Sequence, residues 1–367
     1  MKNTLSPSHF LTFSLTHLLT FSLFAQSPDF SIYLIGDAGN DTVTNKTMTL
    51  LQNDALTKPN SAILFLGDNI YPQGLETLSK SEKKRRLSTK RLLAQVEPLK
   101  TYKGQVYFVP GNHDWKQGKW QGLKYIKEEA RYIEEYFKTT EVSNRNEHTF
   151  IPQNGLPGPY SVMLSEKIRL IAIDTQWWLQ SQFFHKTPKP DGLNRKQTTT
   201  KFYRELDSLL NAAKTNNEKV VIAAHHPMFT NGHHSNRLEP LRSLVNYMPL
   251  QFFGLIGLNR MLVQDMPQPR YHKMRKKLLN TFNKYEHLIV VAGHEHTLQY
   301  FEDGNNTHIV SGSGSKRTHI NKNRYKANFM NDTENGFFRL DFYSDGSVKA
   351  NIFGSTTGGI IHEQSVK

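Results

Sequence analysis

The sequence predicts an α/β protein, and two observations lead to that fold class. Six short apolar runs rich in Ile and Val alternate with stretches of helical composition, as in sheets whose parallel strands are joined by crossover helices. The chain has 367 residues, of which 37% are hydrophobic and 11% aromatic, so it can bury a substantial core. A disordered chain is therefore excluded.

The predicted strands are largely apolar, with continuous rather than alternating apolar residues, as expected for strands that are covered on both faces. They are residues 31–36, 62–67, 106–110, 168–174, 219–224 and 288–293. The helices predicted between them are residues 42–56, 81–99, 120–137, 196–214 and 271–285. From residue 297 to 361 the apolar runs are shorter and alternate with polar residues, as in 337–342, which predicts β-hairpins.

The N-terminus has the features of an export signal. Lys2 precedes a run rich in Phe and Leu at residues 10–24, and Ala25 follows as a small residue suited to cleavage. We expect residues 1–25 to be removed as a signal peptide, with an uncleaved anchor as the alternative, and residues 28–361 to form a single domain. The chain has no cysteine, and an exported protein without disulfides fits a bacterial envelope better than an animal secretory route. We therefore expect location in a bacterial periplasm or cell envelope, or secretion.

The charge balance favours anionic partners. The chain has 46 Lys and Arg against 32 Asp and Glu, a formal net charge of +14, which attracts phosphate esters, nucleic acids or a membrane surface. No nucleic-acid recognition motif accompanies this charge, so we expect no nucleic-acid partner.

One stretch, at about residues 235–269, reads as an insertion. It contains the apolar segment 250–258, which is flanked by Arg237, Arg242 and Arg260. A helical subdomain that packs on the core is one interpretation. Peripheral membrane contact through 250–258, or a lid over the substrate, is the other.

Five short clusters along the chain carry side chains that bind metal ions. Each cluster lies at the end of a predicted strand, and ligands of open α/β sheets sit outside the carboxyl ends of the strands. We therefore expect the clusters to meet at one edge of the sheet. They read Gly36-Asp37-Ala38-Gly39, Gly67-Asp68-Asn69-Ile70-Tyr71, Gly111-Asn112-His113-Asp114, Ile222-Ala223-Ala224-His225 and Gly293-His294-Glu295-His296.

The donors of these clusters divide into two metal positions that share Asp68 as a bridge. One position has the harder, more anionic ligands, which suit Fe(III) because phenolate stabilises that ion strongly; its ligands are Asp37, Asp68, Tyr71 and His296. The other position suits a divalent ion such as Fe, Zn or Mn; its ligands are Asp68, Asn112, His225 and His294. Two such ions can hold a phosphate and activate water for an in-line displacement.

The motifs resemble those of the calcineurin-like metallophosphoesterases, and within them the small, tartrate-resistant-like purple acid phosphatases. The resemblance runs from about residue 32 to 314. It rests on Gly-Asp-x-x-Tyr with Tyr71 at the iron-binding tyrosine, on Gly-Asn-His-Asp, on Ile222-x-x-His225-x-Pro and on Gly-His-x-His. Gly39 stands where the superfamily commonly has a histidine, and Ile222 replaces the usual Val. The choice of His225 over His226 follows the family register.

The resemblance implies a four-layer α/β/β/α sandwich, with two mixed sheets flanked by helices. It also implies an acid phosphatase that hydrolyses phosphate monoesters by in-line attack of a metal-bound hydroxide. His113 would contact the substrate phosphate, Asp114 would orient His113 through a hydrogen bond, and His234 or His233 would act at the leaving group. The alternatives are a phosphodiesterase or a phosphatase for lipid or envelope-bound phosphate. A non-catalytic phosphate-binding protein predicts a lost ligand, and none is lost.

Overall fold

The apolar runs of the sequence form strands in two mixed sheets. The computed structural model describes residues 27–77, 81–144, 148–180, 192–235, 265–320 and 324–367. Over these residues one sheet has six strands, in the order β13 (Gly359–Val366), β12 (Val348–Gly354), β11 (Gly336–Phe342), β1 (Phe30–Ile35), β2 (Ser61–Phe65) and β3 (Gln105–Phe108). The other has seven, in the order β10 (Phe329–Asn331), β8 (Leu298–Asp303), β9 (Asn306–Ser311), β7 (Leu288–Ala292), β6 (Lys219–Ala224), β5 (Ile168–Ile173) and β4 (Tyr160–Met163).

Parallel pairing occupies one end of the six-stranded sheet and the centre of the seven-stranded sheet. β1, β2 and β3 pair in parallel, as do β5, β6, β7 and β9. The C-terminal strands β11, β12 and β13 add antiparallel pairs, and β8 forms the predicted hairpin with β9. All six predicted strands are confirmed.

Helices cover the outer faces of both sheets. The described helices are α1 (Lys46–Ala55), α2 (Glu82–Val96), α3 (Gly122–Phe137), α4 (Gln176–Leu179), α5 (Arg195–Thr215) and α6 (Pro269–Phe282). All five predicted helices are confirmed, and side-chain caps mark the start of four of them. The Asn45 side chain accepts a hydrogen bond from the Met48 amide at the start of α1, and Asn194 forms a capping box with Gln197 at the start of α5.

The core has three apolar layers, which accounts for strands that are apolar on both faces. Along β1, Ile32 and Leu34 pack between the two sheets, whereas Tyr33 and Ile35 pack against α1, α2 and α3. The outer face of the second sheet packs against α5 and α6 in the same way. The result is the four-layer α/β/β/α sandwich, with two mixed sheets flanked by helices.

The sequence patterns missed some elements at the edges. The strands β4 and β10 were not predicted, and β13 continues to Val366, beyond the predicted domain boundary at residue 361. Residues 1–25, nearly all of the insertion at 235–269 and the apolar segment 250–258 lie outside the described residues. Among the residues described, no helix is both long and apolar enough to span a bilayer.

The layer between the two sheets supplies a stability test. Leu340 in β11 is fully buried there, whereas Ile360 in β13 is 41% exposed. We expect Leu340→Ala to lower the free energy of unfolding by about 2–5 kcal/mol, because it leaves a cavity between the sheets. Ile360→Ala should change it by only about 0.5 kcal/mol. Urea unfolding of both variants at equal metal content measures the difference, and equal losses would contradict this packing.

Candidate metal centre

The five clusters meet where the carboxyl ends of the two sheets come together. The first three follow β1, β2 and β3 of the six-stranded sheet, and the last two follow β6 and β7 of the seven-stranded sheet. The expectation of a single sheet edge is therefore corrected, because the clusters lie on adjacent edges of two sheets. The same rule about strand ends still explains why they meet.

Hydrogen bonds join the clusters to one another. The Asp37 amide donates to Gly67 O at 3.0 Å, which joins the first cluster to the second. The His113 amide donates to Asp68 Oδ1 at 2.8 Å, and the His294 amide donates to Asp37 Oδ2 at 2.7 Å. These bonds position the side chains through the backbone, so the site does not depend on flexible side-chain torsions alone.

Three of the predicted ligands have an unusual backbone conformation. Asp37, Asp68 and His294 have φ values of 57°, 55° and 71°, in the left-handed region that residues other than glycine rarely adopt. Such strain persists where surrounding structure imposes it, and it concentrates at functional sites. Here the bonds between the clusters impose it.

The first donor group surrounds the phenol of Tyr71. Its oxygen lies 2.8 Å from Asp37 Oδ1, 3.0 Å from Asp68 Oδ2 and 3.0 Å from His296 Nε2. Burial, followed by the charges of Asp37 and Asp68, raises the pKa of Tyr71 well above its ordinary value. The four side chains predicted for one metal position are thus brought together.

The second donor group surrounds the amide oxygen of Asn112. His225 Nε2 lies 2.9 Å from Asn112 Oδ1, and His294 Nδ1 lies 3.1 Å from the same oxygen. His225 Nδ1 faces Leu66 O at 2.8 Å, and because a carbonyl only accepts, Nδ1 carries the proton. The lone pair of Nε2 is then directed at the site, as metal-binding histidines require.

Asp68 belongs to both groups. Its Oδ2 faces Tyr71 at 3.0 Å, and its Oδ1 lies 3.4 Å from His225 Nε2. Burial alone would raise the pKa of the Asp68 carboxyl, but the neighbouring imidazoles of His225, His113 and His296 and the hydrogen bond from the His113 amide together lower it to about 2. The carboxylate is therefore ionised and has one oxygen on each side.

His226 lies close to the second group without taking the place of His225. Among the described residues, ligand atoms of His225, His226 and His294 lie within 4.8 Å of one another. The His226 side chain contacts Thr175, with Nδ1 2.8 Å from its hydroxyl oxygen. The Nε2 atom of His225, in contrast, faces both Asn112 and Asp68.

The donor set fits two metal ions. Two ligand atoms bound at right angles, each about 2.1 Å from a metal, lie about 3 Å apart. The closest donor atoms of the first group are 2.8–3.0 Å apart, and those of the second are 2.9–3.2 Å apart. Asp37 and Asp68 are also almost fully buried side by side, and buried like charges of this kind call for a cation. His and Asp groups that could bind metal are thus present.

His113 lies beside the first group. Its Nδ1 is 2.7 Å from Pro72 O, and its Nε2 is 3.8 Å from Asp68 Oδ2. Its ring centre lies 4.3 Å from that of Tyr71. Burial is the main cause that lowers the pKa of His113.

The predicted hydrogen bond from Asp114 to the His113 ring is wrong. The buried Asp114 carboxylate accepts from the amides of Gly111, at 2.7 Å, and Ile70, at 3.1 Å. Burial, and then the charge of Asp68, raises the pKa of Asp114 to about 7. Asp114 therefore holds the second and third clusters together from behind, and Pro72 O orients His113 instead.

His233 and His234, which follow the fourth cluster along the chain, differ in burial, and only His234 is half-buried. His233 is exposed, and its ring centre lies 5.3 Å from that of His234. The His234 ring stacks on His294 with centres 4.3 Å apart and an angle of 25°. Burial lowers the pKa of His234, but the hydrogen bond to Asp265 and the charge of Glu295 outweigh it, so this pKa lies above its ordinary value.

Four polar residues at the site were missed by the sequence analysis. Glu129 is fully buried on α3 and accepts from Asn69, and Glu295 is fully buried between His294 and His296. Asp265 contacts His234, and the Lys316 ammonium lies 4.0 Å from the centre of the Tyr71 ring. An acidic residue on the apolar face of α3 is a signal that could have found Glu129. Asp265 and Lys316 have no local motif.

The residues 30–298 match the family model described as calcineurin-like phosphoesterase. No curated protein sequence is significantly similar to the chain.

Solved structures share the fold at low sequence identity. A dimetal phosphatase from Danio rerio matches with a TM-score of 0.54 and 13% identity, covering 93% of this chain and 99% of that one. Purple acid phosphatase PPD1 from yellow lupin matches with a TM-score of 0.54 and 14% identity, covering 93% of this chain and 54% of that one. GAP50, described as the anchor in the inner membrane complex of Plasmodium, matches with a TM-score of 0.55 and 16% identity, covering 93% of this chain and 89% of that one.

Gly39 supplies a test of how the first two clusters approach each other. A Cβ atom at Gly39 would lie 2.1 Å from the carbonyl oxygen of Asn69, so a side chain there must displace the second cluster. We expect Gly39→Ala to remove most of the bound metal while the chain still folds. Gly359→Ala is the matched control, because a Cβ there meets nothing within 4 Å. Metal analysis with circular dichroism distinguishes them; full metal content in Gly39→Ala would contradict the argument.

Proposed function

The chain belongs to the calcineurin-like phosphoesterase family, and on that premise we propose that it is an exported dinuclear-metal acid phosphatase that hydrolyses phosphate monoesters. The observation that carries the proposal is the division of the donors around Asp68. Its two carboxylate oxygens face different groups, one centred on a phenol and the other on an amide oxygen and two imidazoles.

We assign Fe(III) to one group and a divalent ion, Fe, Zn or Mn, to the other. The phenol and two carboxylates of the first group make the harder, more anionic set, which favours a trivalent ion. When bound, the two ions supply Lewis-acid polarisation of the phosphate and a lowered pKa for water. The residues that hold them are Asp37, Asp68, Tyr71 and His296 on one side, and Asp68, Asn112, His225 and His294 on the other.

The remaining side chains bind and orient the ester. His113 donates from Nδ1 to Pro72 O, which leaves Nε2 on the side of Asp68, where a phosphate oxygen would be bound. Lys316 adds positive charge at the rim beside Tyr71, which favours a doubly charged monoester over a singly charged diester.

A histidine assists departure of the leaving group. His234 is our choice over His233, because its ring stacks on His294 at the second donor group whereas His233 is exposed. Water attacks phosphorus, the ester P–O bond breaks, and the proton on His234 passes to the oxygen that leaves. The chain needs no covalent phosphoenzyme for this sequence.

Export is proposed from the N-terminal residues 1–25, which lie outside the described part of the chain. Lys2, the Phe- and Leu-rich run and Ala25 support it. A bacterial periplasm or cell envelope, or secretion, is the proposed location. A mildly acidic location would suit a histidine as proton donor.

The alternative to an enzyme is a non-catalytic, phosphate-binding protein. The name of the Plasmodium protein describes an anchor, so a similar fold is compatible with a different role. Loss of a donor would favour such a role here. All seven donor side chains are present and face one another, which favours catalysis.

The substrate class is tested by comparing three soluble or dispersed substrates. An aryl phosphate, an aryl phosphodiester and a phospholipid with a phosphomonoester head group should be turned over in decreasing order of kcat/KM. Preference for the diester would contradict the monoesterase proposal. Preference for the lipid would favour the envelope-phosphate alternative that residues 250–258 motivate.

Asp68→Asn tests the shared carboxylate. It removes the negative charge between both groups at nearly constant shape, so we expect loss of metal and of phosphatase activity. The loss should exceed the roughly 10–100-fold cost of changing residues that merely support ligands. Asp345→Asn is the control, because Asp345 lies in the turn between β11 and β12 and contacts Ser347. Undiminished activity in Asp68→Asn would reject the site.

Tyr71→Phe tests the ferric assignment. A ferric phenolate absorbs visible light, so the purified protein should be coloured and the variant should lose that band. Tyr343→Phe, directly after β11, should keep it. Metal analysis of the same samples separates loss of the phenolate from loss of iron. A colourless, fully active wild-type protein that contains only zinc or manganese would contradict the assignment.

A further inference from the structure

His234 is joined to a carboxylate that is distant in sequence. Its Nδ1 lies 2.8 Å from Asp265 Oδ1, although 31 residues separate the two along the chain. A carboxylate oxygen accepts, so Nδ1 carries a proton in this pair. The other ring nitrogen, Nε2, is then the atom that remains to exchange a proton with a substrate.

The His234 ring is fixed from two further directions. The His234 backbone amide donates to Glu295 Oε1 at 2.9 Å, and Glu295 is fully buried. One face of the ring stacks on His294 with centres 4.3 Å apart. Rotation about the side-chain bonds would break the Asp265 bond and this stacking together.

Asp265 is itself held by the structure around it. The next residue, Met266, is 2% exposed in the apolar layer beneath α6, and its amide donates to His234 O at 3.0 Å. The Gln268 amide donates to Asp265 O at 3.0 Å, immediately before α6 begins. Asp265 thus lies in a hydrogen-bonded turn that is joined to His234 and leads directly into α6.

We infer that Asp265 is a positioning residue, which keeps His234 protonated at Nδ1 and directs Nε2 to the leaving-group oxygen of the ester. The inference rests on the proposed phosphatase function and adds a consequence for substrate range. The proton on Nε2 goes to the leaving-group oxygen as the P–O bond breaks. The proton on Nδ1 stays on His234 and keeps its hydrogen bond to Asp265. Water provides the new oxygen on phosphorus and returns a proton to Nε2.

This arrangement matters most for esters with poor leaving groups. An alkoxide must be protonated as it departs, whereas a nitrophenolate leaves readily without a proton. General acid catalysis contributes about 10²–10⁴-fold where it is needed. A protein with a well-positioned proton donor should therefore hydrolyse alkyl phosphates almost as well as activated aryl phosphates.

The test compares kcat/KM for glycerol phosphate and 4-nitrophenyl phosphate in the metal-loaded protein. We expect Asp265→Ala to lower the value for glycerol phosphate by about 10²-fold or more, and that for 4-nitrophenyl phosphate by less than about 10-fold. Asp265→Asn retains an oxygen that can accept from Nδ1 and should recover part of the loss. Equal losses on both substrates at unchanged metal content would overturn the inference, because a merely structural role affects both alike.

Coupling with His234 sharpens the test. His234→Ala should show the same selectivity between the two esters, and the double variant should lose little more than His234→Ala alone, because the residues act as one unit. Additive losses in the double variant would overturn the inference.

A separate measurement distinguishes failure of this inference from failure of the proposed function. In zinc-loaded protein, the ¹⁵N shifts of His234, assigned by comparison with His234→Ala, should report Nδ1 protonated and should change in Asp265→Ala. Shifts that do not change would refute the positioning role. Absence of monoesterase activity in the wild-type protein would instead refute the proposed function, with the ¹⁵N result still deciding the role of Asp265.

Discussion

Both donor groups depend on where one buried carboxylate lies. Asp68 follows β2 at the centre of its half of the site, and its two oxygens face in different directions. Its conformation is set by neighbours, since His113 donates to Oδ1 and a φ of 55° turns the chain sharply. Asp114 and the tight approach of Gly39 and Gly111 fix the turns around it. The arrangement of both donor groups is therefore determined by how the turns pack around Asp68.

Much of the fold could be predicted because burial on both faces leaves a simple signal in the sequence. β1, for example, is apolar from Ile32 to Ile35 since Leu34 faces the second sheet and Ile35 faces helices. The candidate ligands could be predicted for a related reason, because strand ends determine where side chains meet. The edge strands β4 and β10 lack continuous apolarity, so the same signal could not find them.

The rest of the site depends on tertiary contacts that local patterns do not encode. The family resemblance implied that Asp114 contacts the His113 ring, yet the chain turns between them and directs the side chains apart. Asp265 reaches His234 only because β6 and α6 pack together, and Lys316 reaches Tyr71 from the loop after β9. Residue types at given spacings predict which side chains meet as candidate ligands, whereas the groups that orient them are determined by the completed fold.

The left-handed conformations of Asp37, Asp68 and His294 have a consequence for the stability of the protein with and without metal. Conformations of this kind cost about 1–3 kcal/mol each, and the chain bears that cost whether or not metal is bound. Ions that bind only the folded form repay it by mass action. Metal bound at the donor groups would therefore stabilise the folded chain and lower the fraction of it that is open to proteolysis.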